Sequence, residues 1–225
     1  MKITYALIIS FFVIFLIMGF LPEQTNENIY KNYSFSLNNL FEGKIWTFIT
    51  SIFIHGGPSH LVLNCIALFF FGTALEENIT TKKYLIIFFL GGIVGNLASG
   101  FLMPGSSTIG ASGGIFAIMG TAMLISPFEF IIYPYLIPIP LALVGVLYTV
   151  YTIIEFLTVK NANIAYSAHI GGLIIGILFG IREEDSLKGF LVVILLFILI
   201  LFIPTIWRVF DMTNYVRIIQ NVIGI

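Results

Sequence analysis

Seven apolar stretches, each close to the length of a membrane-spanning helix, dominate this chain. They cover residues 4–21, 60–75, 84–103, 112–125, 138–157, 167–181 and 187–207. A helix needs about 20 apolar residues to cross a bilayer. Only 9% of the 225 residues are charged, against about 25% in soluble domains. The sequence therefore predicts an all-α, multi-pass membrane helix bundle that forms one membrane domain, residues 1–225.

The first stretch is expected to remain in the mature protein. Its apolar run, residues 3–21, is longer than the ~7–15 apolar residues of a secretory signal, and no small-x-small cleavage site follows it. We therefore interpret it as the first transmembrane helix.

Charge and cysteine content exclude some functions but do not give the orientation. The net charge of −1 indicates no nucleic-acid partner, and Cys65, as the single cysteine, cannot form an internal disulfide. With the N-terminus inside, five Lys or Arg residues fall on each side of the membrane. This even split gives no positive-inside bias.

The connection between the first two stretches, residues 22–59, is long and of mixed polarity. Its segment 44–55 is too short to span a bilayer and too apolar to extend into water. Because Trp46 suits the headgroup level, we expect this segment to lie in the membrane interface.

Ser112 opens the fourth stretch, within Gly110-Ala111-Ser112-Gly113. A helix over 112–125 would be about 21 Å long, shorter than the ~30 Å hydrocarbon core, so Ser112 would lie about 9 Å below the membrane surface. The loop before it would then line a wet cavity. Unpaired N–H groups at the helix start could face a developing negative charge. Taken alone, the motif is more typical of helix packing.

His169 is the candidate general base. Gly172, Gly176 and Gly180 follow it on one helical face, and small residues at this spacing let membrane helices pack closely. Gly113, Ala117 and Gly120 form a similar face on the serine helix. Packing of the two faces would bring His169 to Ser112, as base activation of a serine requires.

A third catalytic residue is not evident. The two aspartates, Asp185 and Asp211, lie in polar connections, and Glu155 and Glu76 lie near the ends of apolar stretches. The sequence therefore favours a Ser–His dyad over a triad.

His60 and Asn64 lie one turn apart, so their side chains share a helical face. They could stabilise a tetrahedral oxyanion, or they could clamp two helices with a hydrogen bond. His55, beside Gly56-Gly57-Pro58, could either shape its loop or contact the site.

Together these residues resemble the rhomboid family of intramembrane serine proteases. The resemblance runs in order over about residues 4–181 and extends to a Gly-x-x-x-Glu motif. The matching positions are His55, His60, Asn64, Gly72, Glu76, Gly110, Ser112, Gly113, His169, Gly172, Gly176 and Gly180.

The resemblance implies a six-helix core, with 187–225 contributing a seventh transmembrane helix and a tail. It implies cleavage of transmembrane protein substrates in the bilayer without a cofactor or metal, by Ser112 as nucleophile and His169 as base. His60, Asn64 and the Ser112 N–H would bind the oxyanion, and Gly110 and Gly113 would let the substrate approach. It also implies a cytoplasmic N-terminus, a prokaryotic plasma membrane, and lateral entry beside 138–157.

Two positions depart from the family pattern. Phe116 stands where the family commonly has a tyrosine packed on the catalytic histidine, which leaves specificity near the scissile residue in question. Thr47 replaces the arginine of a Trp-Arg pair, so we expect the first loop to be anchored differently.

Three alternatives compete with a protease. An inactive rhomboid-like protein would bind membrane clients without cutting them, but such relatives typically lose the serine or histidine. A transporter with a histidine proton relay would show two matching halves with broken helices, and no such repeat is present. A metalloprotease would show His-Glu-x-x-His, which is missing.

Overall fold

A computed structural model describes residues 2–132, 138–158, 166–184 and 186–210 of the chain. In these ranges the chain forms ten helices and two short strands. The elements are α1 (Ile3–Phe20), α2 (Glu23–Tyr33), α3 (Leu37–Phe41), α4 (Thr47–Phe53), α5 (Pro58–Glu76), α6 (Thr81–Leu102), α7 (Ser112–Ile125), β1 (Phe130–Ile132), β2 (Pro138–Pro140), α8 (Leu141–Thr158), α9 (Tyr166–Gly180) and α10 (Ser186–Phe210).

All seven apolar stretches are helical over most of their length. Five helices in the described residues are long and apolar enough to cross a membrane, namely α1, α5, α6, α8 and α10. The remaining two, α7 and α9, are apolar but shorter. The helical, multi-span architecture is thus present, and the division into six core helices and a seventh remains a prediction.

The chain departs from a purely helical fold at one point. Residues 130–132 pair with residues 138–140 as an antiparallel two-stranded sheet, in the register Phe130↔Pro140. The stretch predicted to be helical from residue 138 therefore begins its helix at Leu141. Proline explains the difference. Pro140 pushes the residue before it toward extended backbone, and neither Pro138 nor Pro140 has a backbone N–H to donate within a helix.

The long first connection is itself structured, since it contains α2, α3 and α4. Trp46 is 47% exposed, and its Nε1 donates a hydrogen bond to the Asn32 carbonyl over 3.0 Å. The side chain of Thr47 is buried and its hydroxyl donates to the Lys44 carbonyl over 2.7 Å. At the position where the family has an arginine, this loop is thus held by a local threonine bond.

Helix α7 lies at the centre of the bundle, with residues 113–124 all buried. Its neighbours α6 and α9 approach closely because glycines face their backbones. A Cβ on Gly172 would collide with the Gly113 carbonyl, one on Gly176 with the Ala117 carbonyl, and one on Gly95 would lie 2.7 Å from the Ala168 carbonyl. These contacts hold α6, α7 and α9 together as one tightly packed unit.

Glu76 at the end of α5 caps the start of α1. Its carboxylate accepts hydrogen bonds from the Ile3 N–H over 2.5 Å and from the Thr4 hydroxyl over 2.7 Å. Thr4 also contacts the Tyr84 hydroxyl over 3.0 Å, and a Cβ on Gly72 would lie 2.5 Å from that same hydroxyl. Because a helix start has unpaired N–H groups, the Gly-x-x-x-Glu motif joins α1, α5 and α6 at one end of the bundle.

Candidate active site

The loop before α7 is pinned in place by its backbone. Gly110 has φ +106°, a conformation that favours glycine, and its N–H donates to the Ser51 carbonyl over 2.8 Å. A Cβ at this position would lie 2.5 Å from His60 Nε2 and 3.6 Å from Asn64 Nδ2. Gly110 therefore lets the loop that leads into Ser112 lie directly against the two polar side chains of α5.

Ser51 and Asn96 secure this loop from the opposite side. Asn96 Nδ2 on α6 donates to Ser51 Oγ over 2.9 Å, and both side chains are buried. The carbonyl of Ser51 accepts from the Gly110 N–H, so these two hydrogen bonds tie α4, α6 and the loop together. Neither residue was singled out in the sequence, because a lone serine or asparagine in an apolar segment gives no signal of its partner.

The first residue of α7 is Ser112, and its side chain is partly accessible. One turn further along the same helix, the Phe116 ring stacks on the His169 ring with centroids 4.3 Å apart and planes 12° from parallel. Residues four apart share a helical face, so His169 faces the side of α7 that carries Ser112. The backbone contact of Gly172 with Gly113 holds the two helices together at this level.

His169 is 6% exposed, and its Nδ1 has no hydrogen-bond partner among the described residues. The two glutamates considered as third members are engaged elsewhere, since Glu76 caps α1 and Glu155 accepts from the Tyr166 hydroxyl over 3.4 Å. Asp185 and Asp211 lie outside the described residues.

Hydrogen bonding assigns the protonation of His60. The Gly56 N–H donates to His60 Nδ1 over 3.4 Å, so a neutral ring carries its proton on Nε2. Of all neighbouring atoms, His60 Nε2 is the closest to the position that a Cβ on Gly110 would occupy. Asn64 Nδ2, another donor, is buried without a partner in the described parts of the chain. Two N–H donors thus point to the loop before Ser112.

His55 lies behind His60, with ring centroids 5.2 Å apart. Its Nδ1 contacts the Phe53 carbonyl over 3.3 Å, its carbonyl accepts from the Tyr30 hydroxyl over 3.4 Å, and its ring packs on Phe11. Burial lowers the pKa of His55 to about 4, and the neighbouring His60 contributes to the same shift. His55 is therefore held by contacts with α1, α2 and α4, and its ring lies against that of His60.

Tyrosines surround the histidine on the side of α8. Tyr148 packs on Phe116 with ring centroids 5.0 Å apart, and Tyr166 presents its edge to His169 at 5.9 Å. Tyr151 lies between them, 6.3 Å from Tyr148 and 6.4 Å from Tyr166. These tyrosines were not predicted as part of the site, because the sequence signals them only by the helical spacing of residues 148 and 151.

Metal ligands do not gather at this site. Within the described residues, no group of three His, Cys, Asp or Glu side chains comes close enough to hold a metal ion.

Fold and site together define a multi-pass helical membrane protein that carries a partly accessible serine at the start of α7, a buried histidine on α9 and a histidine and an asparagine on α5. The model of the Rhomboid domain family matches residues 42–184, a range that contains all of these polar groups. The chain belongs to the rhomboid family.

Relatives whose names include rhomboid occur in a plant, in a bacterium and in Toxoplasma gondii. The chain is 31% identical to RHOMBOID-like protein 12, mitochondrial, of Arabidopsis thaliana, over 63% of this chain and 47% of that protein. It is 31% identical to Rhomboid protease GluP of Bacillus subtilis, over 77% of this chain and 33% of that protein. Rhomboid-like protease 3 of Toxoplasma gondii is 40% identical over 34% of this chain and 29% of its own length. The chain therefore spans half or less of these relatives.

Proposed function

We propose that this protein is an intramembrane serine endopeptidase that cuts transmembrane protein substrates through a Ser112–His169 dyad. The observation that carries the proposal is the Phe116–His169 stack of 4.3 Å one turn from Ser112. It directs the imidazole toward the side of α7 on which the serine lies. Two relatives whose names include protease support the reaction class.

In the proposed reaction, Ser112 Oγ attacks the scissile carbonyl while His169 takes the hydroxyl proton. His169 then returns this proton to the departing amine, the C–N bond breaks, and an acyl-enzyme ester remains on Ser112. Water attacks the ester with His169 again acting as base, which releases the carboxylate product and restores the serine. The Nδ1 of His169 has no hydrogen-bond partner among the described residues, which supports a dyad that works without a third residue.

The developing oxyanion would be bound by His60 Nε2–H, Asn64 Nδ2 and the Ser112 N–H. Donors that are already aimed at the oxyanion stabilise it without reorganising during the reaction. The packing of Gly110 against both side chains supports this assignment, because it fixes their distance from the serine loop. Gly113 leaves the space beside the nucleophile free of a side chain.

Substrate would reach the dyad from the lipid beside α8, past Tyr148 and Tyr151. Both tyrosines are partly exposed, at 37% and 49%, so the wall they form is open to the surroundings. We place the N-terminus in the cytoplasm, the six core helices over about 4–181, and the protein in the plasma membrane of a prokaryote.

The test is cleavage of a model single-span substrate by purified protein in bilayers, beside Ser112→Ala and His169→Ala. We expect both variants to lose cleavage. The matched control is Ser167→Ala, which removes a buried hydroxyl that has no partner among the described residues. This control should retain activity.

Labelling by a fluorophosphonate, which reacts with activated serines, locates the nucleophile independently. It should modify Ser112 in the native protein and not in His169→Ala. Cleavage that persists in Ser112→Ala would refute the assignment. Absence of both cleavage and labelling in the native protein would favour a non-cleaving protein that binds membrane clients.

A further inference from the structure

A groove of about 420 Å³ runs along one flank of the bundle, between α1, α2 and α4. Its walls are almost entirely hydrocarbon, with Ile14 and Ile17 from α1, Ile29 from α2 and Ile49 from α4. Ile17 and Ile49 are 55% and 40% exposed. In a chain that lies in a bilayer, such a groove faces lipid, and its apolar walls suit an acyl chain.

A second cavity of about 200 Å³, with a larger polar share in its lining, adjoins this groove, and Met18 lines both. Asn26 lies in the cavity wall, and its Nδ2 donates to the Met18 carbonyl over 2.8 Å and to the Leu21 carbonyl over 3.3 Å. These two bonds assign the amide orientation, because a carbonyl oxygen can only accept and the nitrogen is the only donor of the Asn26 amide. Asn26 Oδ1 is therefore an acceptor, and it is buried without a partner within the described ranges.

His55 supplies a second acceptor to the same cavity. Its Nδ1 must carry the proton, because the Phe53 carbonyl that it contacts can only accept. In the neutral ring Nε2 is then an acceptor, and this atom is also buried with no partner in the part of the chain described. Buried acceptors without donors are costly, so the cavity suits a group that brings N–H or O–H donors.

We propose that groove and cavity form one binding site for a phospholipid with a primary ammonium headgroup. One acyl chain would lie along the groove, and the ammonium would donate to Asn26 Oδ1 and His55 Nε2. An apolar groove thus adjoins a cavity lined by two residues that each have an unpartnered acceptor, as the acyl chain and the ammonium end of such a lipid require. No charged side chain lines the cavity among the described residues, so nothing there repels a cation. The site does not depend on the proposed protease activity.

Phosphatidylethanolamine and phosphatidylcholine with identical acyl chains provide the test, because the choline headgroup has no N–H donor. The purified full chain is titrated with each lipid in detergent, and bound lipid is counted by native mass spectrometry. We expect phosphatidylethanolamine to bind about tenfold more tightly, the ratio that one charge-assisted hydrogen bond can supply. Equal binding of the two lipids would overturn the proposal.

Variants then test which residues cause the preference for phosphatidylethanolamine. His55→Phe keeps the ring that packs on Phe11 and removes the acceptor, so it should bring the two affinities together while phosphatidylcholine binding stays unchanged. Ile49→Trp, or Ile17→Trp from the opposite wall, should fill the groove and weaken both lipids. Leu199→Trp, on an exposed face of α10, is the matched control and should leave both affinities unchanged. A preference that survives all groove and cavity variants would place the lipid elsewhere and refute the site.

Discussion

Helix α9, which carries His169, packs against α7 and α8 in different ways. Toward α7 it presents glycines, and at Gly172 and Gly176 even a methyl group would collide with a facing carbonyl. Toward α8 it presents Tyr166, whose contacts are the Tyr151 ring at 6.4 Å and a 3.4 Å hydrogen bond to Glu155. One side is a contact between backbones, and the other is a contact between side chains.

The difference indicates which helix can move. Backbones in contact cannot shift without opening a close-packed interface, so α7 and α9 fix the position of Ser112 relative to His169. Side chains can change rotamer, so α8 can move away without disturbing that geometry. Under the proposed function, a closely packed pair of helices would position Ser112 and His169, and the more loosely held α8 would admit the substrate.

The largest expected effect comes from breaking the rigid side. Gly172→Leu would force α9 away from Gly113, and a displacement of about 1 Å at reacting groups can cost about 100-fold in rate. We expect cleavage to fall at least that far while the protein still inserts, and Gly176→Leu should act in the same direction. The measurement is the cleavage rate in bilayers alongside the yield of membrane-integrated protein.

Ile174→Ala is the control for this prediction, since it changes a 51% exposed side chain on the same helix. It should keep native activity. Full activity in Gly172→Leu would show that the glycine face does not position His169.

Removing the Phe116 ring, which lies between His169 of α9 and Tyr148 of α8, should have an intermediate effect. Phe116→Leu loses the stack on His169, and an aromatic pair of this kind contributes about 1 kcal/mol, equivalent to about fivefold in rate. We expect kcat to fall by that factor with little change in KM. Tyr148→Leu, which removes the outer ring, should change kcat less. A larger loss in Tyr148→Leu than in Phe116→Leu would contradict this order.

Loosening the α8 side should have a smaller effect on chemistry. Tyr166→Phe keeps the ring beside His169 and deletes the hydrogen bond to Glu155, which contributes about 1 kcal/mol. We expect kcat to change less than threefold and the change to appear mainly in KM, because entry past α8 is altered. Glu155→Gln should give a similar result, and the double variant should add little to either. Additive effects would show that the two residues act separately.

The smallest effect on activity is expected at the far end of α7. A Cβ on Gly189 of α10 would collide with the Leu124 carbonyl, so Gly189→Leu disrupts a glycine contact like that of Gly172. Leu124 lies about 18 Å along the helix from Ser112. We expect a loss of about 1–3 kcal/mol in stability, seen as a lower melting temperature, with kcat within twofold of native. A loss of activity comparable to that of Gly172→Leu would mean that α7 transmits strain along its whole length.

The helix ends could be predicted well where the apolar stretch is bounded by residues that typically begin or end helices. Helix α7 begins and ends at the predicted residues, 112 and 125, because glycines precede it and Ser126-Pro127 follows it. The prediction was wrong at the start of α8, where the apolar run continues through Pro138 and Pro140, which disfavour helical backbone. Apolarity alone does not distinguish the two backbone conformations.

Much of the site could be proposed from spacing within single helices. The pairing of His60 with Asn64 and the small faces of α7 and α9 both follow from helical periodicity. The tyrosine wall could not be found in this way, because Tyr148 and Tyr166 come from different helices and meet only through Phe116 and His169. The acceptor role of His55 Nε2 depends on a contact with the carbonyl of Phe53, which no residue pattern encodes.

The Glu76 cap has a consequence for the order in which this protein is made. The first turn of α1 depends on a carboxylate that lies 73 residues further along the chain. The N–H groups at the start of α1 therefore gain this partner only after the whole of α5 has been synthesised. The seating of α1 in the bundle is completed by a residue that follows it in the chain, so it depends on the correct placement of α5.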